Sequence, residues 1–179
     1  MNETPLTDPW LSFLAAIDDF IDDETCFHCL GGFVVTLIYR ANRSTSDLDI
    51  LTLVQSNPNL LAFSGFGSAL HKRLKVYLDP VGIAKLPEDY EDRLSEIFPG
   101  MFKRLKLFSL DPYDLALAKI ERNIERDRDD VKHLANVVPF DLEILKRRYY
   151  DELRPYLGIP EREDLTLKLW IEMIEESRE

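Results

Sequence analysis

The chain has 179 residues, 45% of them hydrophobic and 31% charged, the balance of a globular protein with one sizeable core. Its formal net charge of −11 disfavours stable, sequence-independent binding to nucleic acid as the main role. No apolar run approaches ~18 residues, the start Met1-Asn2-Glu3-Thr4-Pro5 lacks the basic and apolar blocks of a secretory signal, and we expect a cytoplasmic protein without a membrane span.

Asp8-Pro9 is a helix start, and Trp10, Phe13, Leu14, Ile17, Phe20 and Ile21 recur at helical spacing to about Asp22. Thr25 to Leu30 reads as a short buried strand. It contains Cys26-Phe27-His28-Cys29, the spacing of half a zinc site or of a redox pair. His71 and His133 are isolated and no second cysteine pair completes four ligands, so the cysteines read as small core residues. Gly31-Gly32 turns the chain into a helix through about Tyr39, a polar loop covers Asn42 to Ser46, and Asp47 to Val54 is a second strand. After Asn57-Pro58-Asn59, Leu60 to Leu74 is mostly helical, with Gly65-Phe66-Gly67-Ser68 as a bend; a lone Gly-x-Gly is weak support for a phosphate cradle.

Lys75 to Leu78 is a third strand ending at Asp79-Pro80. A polar segment with at least one helical turn covers Leu86 to Phe98, Pro99-Gly100 is a turn, and Leu105 to Leu110 is the last strand. From Asp111-Pro112 the chain becomes helical. Tyr113, Ala116, Leu117, Ile120 and Ile124 form the stripe of one helix running to about Glu125. Val131, Leu134, Ala135 and Val138 mark a second; a third starts near Phe140, and a last carries Leu167, Trp170, Ile171 and Ile174. The expected fold is α+β: a mixed sheet with flanking helices over 1–110, then a helical lobe over 111–179 packed on it. The basic clusters at Lys72-Arg73-Leu74-Lys75 and Lys103-Arg104-Leu105-Lys106 are candidates for a local groove; Lys146-Arg147-Arg148 reads as a solvated face.

The chemistry concentrates at Gly31-Gly32 and Arg43-Ser44-Thr45-Ser46-Asp47-Leu48-Asp49. In a strand, Asp47 and Asp49 point to the same face, roughly 7 Å apart at Cα. Such carboxylates resist joint ionisation unless a cation lies between them, and sites that keep positions open for phosphate oxygens typically hold Mg²⁺. The glycine pair lets backbone N–H groups approach a phosphate. Thr45 and Ser46 offer hydroxyl donors, and Arg43 suits either a phosphate or a pairing with Asp47. Asp79 is either a third carboxylate or a strand-end turn with Pro80.

This ordered set resembles the nucleotidyltransferase family, and more closely its AbiEii-type branch with its small relatives. Gly31, Gly32, Arg43, Thr45, Asp47 and Asp49 match its first block. Asp114 to Lys119 followed by Arg126-Asp127-Arg128-Asp129-Asp130 matches a second, and Val76 to Asp79 and Leu86 to Leu94 are similar to segments between them. The resemblance spans roughly residues 25 to 135. It implies a nucleotidyltransferase-like fold and transfer of a nucleoside monophosphate from a nucleoside triphosphate to a hydroxyl of RNA or protein. Mg²⁺ or Mn²⁺ would lie on Asp47, Asp49 and Asp79. It implies Lys119 as triphosphate ligand and places Asp127 and Asp130 in the active-site set. On residues alone, Lys119 is also a solvated lysine paired with Glu121 and Glu125, and Asp127 a helix cap with Asp130 as its third-residue partner. Some members of the branch are toxins of toxin–antitoxin pairs and some modify tRNA, which admits tRNA or protein as acceptor and an antitoxin as partner. The rival expectation is a catalytically inactive nucleotide-binding or protein-interaction module of the same fold.

Overall fold

A computed structural model describes residues 5–51, 58–82 and 85–178. The chain divides into two compact units, Met1–Gly82 with Leu94–Ser109, and Ile83–Arg93 with Leu110–Glu179.

The first unit is built on a five-stranded mixed sheet. Its strands are β1 (Thr25–Leu30), β2 (Asp47–Leu51), β3 (Tyr77–Val81), β4 (Ser95–Ile97) and β5 (Leu105–Ser109), in the order β3-β2-β1-β5-β4. β1 runs antiparallel to β2 and parallel to β5, β2 runs parallel to β3, and β4 runs antiparallel to β5. The parallel pairs need crossovers, and helices supply part of them. Among its described residues, the helices are α1 (Trp10–Phe20), α2 (Gly31–Leu37), α3 (Pro58–Ser64) and α4 (Ala69–Leu74). The helix α1 starts where the sequence predicts, but Pro9 holds the N-cap position and Asp8, one residue earlier, accepts hydrogen bonds from the Ser12 N–H and hydroxyl. Trp10, Phe13, Leu14 and Ile17 are buried, and Trp10 meets Phe33 of α2 edge-on at 4.8 Å between centroids. Asp18, one turn further along, is buried and accepts from the Lys103, Arg104 and Leu105 N–H groups at 3.0, 2.7 and 2.8 Å. Burial pushes this carboxyl up, but the three donors and the Arg104 charge outweigh it and hold it below the ordinary range.

The expected helix from Leu60 to Leu74 is two helices with a bend at Gly65 to Ser68, where Gly67 takes a left-handed φ of 81° and Ser68 caps α4 by accepting from the His71 N–H. The 52–54 end of the expected second strand lies outside the described residues, as does Asn57 of the chain break. The segment expected to be polar with a helical turn holds a 3-10 turn at Tyr90–Arg93 and then β4, a strand the sequence does not announce. Cys26 and Cys29, three apart in β1, project to opposite faces of the strand, which rules out a joint ligand or disulfide pair there. Cys29 is fully buried and packs as a small hydrophobe, with burial pushing its thiol up.

The second unit is helical: α5 (Pro112–Leu117), α6 (Glu125–Val137), α7 (Leu142–Arg148) and α8 (Pro160–Glu176), with α7 continuing into a π-helical turn at Tyr149–Leu153. α5 packs on α6 and α7, and α6 on α8. Asp111 caps α5 through the Tyr113 and Asp114 N–H groups. The expected long helix from Asp111 to Glu125 is corrected: it stops at Leu117. Past Ala118 the N–H groups of Lys119 and Ile120 bond three residues back, to the Ala116 and Leu117 carbonyls, and Asn123 takes a left-handed φ of 43°. The Trp170 indole N–H donates to the Asn123 side-chain oxygen at 2.9 Å and fixes this turn to α8. Arg148 is likewise corrected from a solvated residue. It is buried, donates to Asp111 at 2.6 Å and Asp114 at 3.0 Å, and lies over the Tyr113 ring. Arg93 completes this cluster through two bonds to Asp114 and one to Glu152.

Among the described residues, no helix is long and apolar enough to cross a membrane.

Candidate functional site

Strand register assembles the site. In the parallel pair of β2 and β3, Asp47 faces Tyr77 and Asp49 faces Asp79. Because alternate residues share a face, these four side chains lie on one side of the sheet, while Leu48 and Leu78 between them are buried on the other. Carboxylate oxygens of Asp47, Asp49 and Asp79 all come within 4.8 Å of one another. Asp79 is therefore a strand residue within β3 and not the strand-end turn that Pro80 gives as the alternative. Burial, and next the Asp47 charge, push its carboxyl above the ordinary carboxylate range.

The residues around the trio hold it in place. β1 ends at Leu30, the register partner of Asp49, and the next residue, Gly31, has φ of 66°. A Cβ on Gly31 would lie 1.7 Å from Oδ2 of Asp49, so only glycine fits for reasons of both space and backbone conformation. A Cβ on Gly32 would come within 2.8 Å of Thr45 Oγ1 and 3.1 Å of the Arg43 guanidinium nitrogens. The glycine pair thus makes room first for the chain's own Asp49, Thr45 and Arg43. The Thr45 hydroxyl donates to Oδ1 of Asp47 at 2.7 Å, fixing that carboxylate's rotamer. Ser46 is exposed, and its carbonyl accepts from the Tyr77 N–H at 2.9 Å, which extends the β2–β3 pairing by one bond. Tyr77 is the site residue that sequence reasoning passes over. Its signal was the period of two that joins it to Asp79.

Three carboxylates so close present hard oxygen donors that suit a hard divalent cation. The donor set fits Mg²⁺ or Mn²⁺ and offers no soft ligand.

Lys119, Asp127 and Asp130 form a cluster of their own in the helical unit. Lys119 is only 6% exposed, with Nζ 2.9 Å from Asp130 and 3.4 Å from Asp127. Its expected alternative, a solvated lysine paired with Glu121 and Glu125, is corrected. The pull of two buried carboxylates draws it inward from the turn after α5. Asp127 is also not the N-cap. Ile124 holds that position, and Asp127, at the third helical residue, accepts from the Ile124 N–H at 3.2 Å. Arg122 closes on the same carboxylate with Nε at 2.8 Å. Burial pushes the Asp127 carboxyl up, and the Arg122 hydrogen bond with the Lys119 and Arg122 charges outweighs it, so it lies below the ordinary range.

A mixed five-stranded sheet flanked by helices, carrying clustered carboxylates on adjacent strands and followed by a helical region, is a nucleotidyltransferase-like fold. The family model of the nucleotidyltransferases of unknown function (DUF6036) matches residues 14–178, nearly the whole chain, and the chain belongs to that family. The match defines the nucleotidyltransferase class without singling out the AbiEii-type branch. No curated protein and no solved structure matches the chain.

Proposed function

We propose that the chain transfers a nucleoside monophosphate from a nucleoside triphosphate to a hydroxyl acceptor of RNA or protein, using a divalent cation, Mg²⁺ or Mn²⁺, on Asp47, Asp49 and Asp79. The observation that carries this is the register of β2 and β3, which gathers three carboxylates on one sheet face in a member of the nucleotidyltransferase family. When bound, the cation would neutralise charge on the triphosphate as pyrophosphate leaves. The chain's own part is positional. Thr45 orients Asp47, Gly31 admits the Asp49 carboxylate against the backbone, and Arg43, beside Gly32, is our candidate for a phosphate contact. The resemblance to the AbiEii-type branch adds Lys119, Asp127 and Asp130 to the reaction, and with them a tRNA acceptor or an antitoxin partner. Those assignments rest on the motif match alone.

The test is calorimetric titration of the four nucleoside triphosphates with and without Mg²⁺, followed by incubation with labelled triphosphates and RNA or protein acceptors. Wild type should bind only with the metal. Asp47→Asn and Asp49→Asn should lose that binding with little change in Tm, because each relieves repulsion in the metal-free protein. Unchanged affinity in both variants would remove the carboxylates from the reaction. Binding without transfer would favour the inactive nucleotide-binding module.

A further inference from the structure

Phe66 is 77% exposed, yet it is not a loose surface residue. Single exposed apolar side chains are ordinary, so exposure alone says nothing. What sets Phe66 apart is the construction around it. Gly65 bridges Leu78 on β3, and its N–H donates to the Leu61 carbonyl at 2.8 Å. A Cβ at Gly65 would lie 2.6 Å from that carbonyl oxygen, so the close approach requires glycine. On the other side, Gly67 has φ of 81° and donates its N–H to Nδ1 of His71 at 2.9 Å. The ring between these two glycines packs against two others, His71 at 4.8 Å and Tyr77 at 5.1 Å between centroids, and His71 and Tyr77 meet edge-on at 5.0 Å. An aromatic ring is thus buttressed and presented to solvent.

Its location gives the buttress a use. Tyr77 is the register partner of Asp47 and shares a sheet face with the carboxylate trio. Through its contact with Tyr77, the Phe66 ring therefore lies at the margin of that trio. A neutral, flat, preordered surface at the margin of an acidic cluster suits the part of a nucleotide that carries no charge. We propose that Phe66, supported by His71 and Tyr77, is a stacking platform for a nucleobase whose phosphate is handled at Asp47, Asp49 and Asp79. The proposal rests on the nucleotidyltransferase reading above. The base belongs either to the donor triphosphate or to an acceptor strand; the chemistry of stacking is the same for both.

The experiment separates these sources and separates the platform from the metal site. Phe66→Ala and Phe66→Trp are compared with wild type for binding, in the presence of Mg²⁺, of each nucleoside triphosphate, of inorganic tripolyphosphate and of a short single-stranded RNA lacking a triphosphate. Phe66→Ala should weaken a base-bearing ligand by roughly 5- to 150-fold, the range of a lost base–aromatic stack, and leave tripolyphosphate unchanged. Loss confined to the triphosphates assigns the donor base; loss confined to the RNA assigns the acceptor. Phe66→Trp should retain affinity, and its emission should change on stacking, against a constant background because Trp10 and Trp170 are buried and out of reach of a stacked base. Equal affinities in wild type and Phe66→Ala for every base-bearing ligand would overturn the platform. So would an equal loss of tripolyphosphate, since the loop would then support the metal site instead. Wild type that fails to bind tripolyphosphate while Phe66→Ala still loses RNA affinity would overturn the carboxylate reading and leave the platform standing.

Discussion

Lys119 shows how far one residue's surroundings can depart from its sequence pattern. A lysine between Glu121 and Glu125 on an apparent helix face reads as solvated, and its replacement as nearly neutral. Instead its ammonium joins Asp130 and Asp127, both buried, and Arg122 also pairs with Asp127. Removing one member of such a cluster leaves an uncompensated buried charge. Lys119→Met should therefore destabilise by about 3 kcal/mol or more, measured by urea denaturation. The double variant Lys119→Met with Asp130→Leu should recover part of the loss, because it removes both partners together. A shift under about 0.5 kcal/mol in the single variant would mean that the ammonium is solvated after all. By contrast, the pairing of Asp47 with Asp49 was legible at once. Strand alternation alone puts residues two apart on one face, whatever the tertiary setting.

At the scale of elements, long apolar periodicities are legible in the sequence and short polar stretches are not. Trp10, Phe13, Leu14 and Ile17 and the run Thr25–Leu30 reappear as α1 and β1 because their patterns match a single buried face or strand. β4 escaped notice because two of its three residues, Ser95 and Glu96, are exposed and only Ile97 is buried. The break after α5 was hidden because Leu117 and Ile120 remain buried through the tight turns that replace the helix, and no glycine or proline marks the spot. Asp18 reads as one more charge at the polar end of α1, and nothing local betrays that it caps the start of β5 more than eighty residues away. Asp18→Ala should orphan the Lys103, Arg104 and Leu105 N–H groups together. We expect a loss of about 3 kcal/mol and faster hydrogen exchange at those three amides. Exchange at wild-type rates would show that water replaces the carboxylate at no cost.

For the molecule as a whole, the titrating groups pull stability in two directions. The folded carboxyls of Asp18 and Asp127 lie below their ordinary value of 3.8, so their contribution is present above that pH and is lost as pH falls through the folded values. Asp79 lies above it, so its contribution is complete below 3.8 and is lost as pH rises through the raised value. A cation that neutralises the trio would cancel only the second loss. Mg²⁺ should accordingly raise the urea midpoint more at pH 7 than near pH 4, and Asp79→Asn should shrink that difference; equal metal effects at both pH values would contradict the assignment. The path of the chain has a consequence of another kind. It leaves the sheet unit after residue 82, returns after 93 and leaves again after 109, and the end of the excursion is tied down by Arg93 on Asp114 and Glu152. No single cut of the gene separates the two units, since a cut after 82 leaves the sheet unit without 94–109 and a cut after 109 leaves the helical unit without 83–93. A crossover after 109 would part Arg93 from Asp114 and Glu152, and one after 82 would part β4 and β5 from the rest of the sheet, so the two units are inherited, and drift, as a pair.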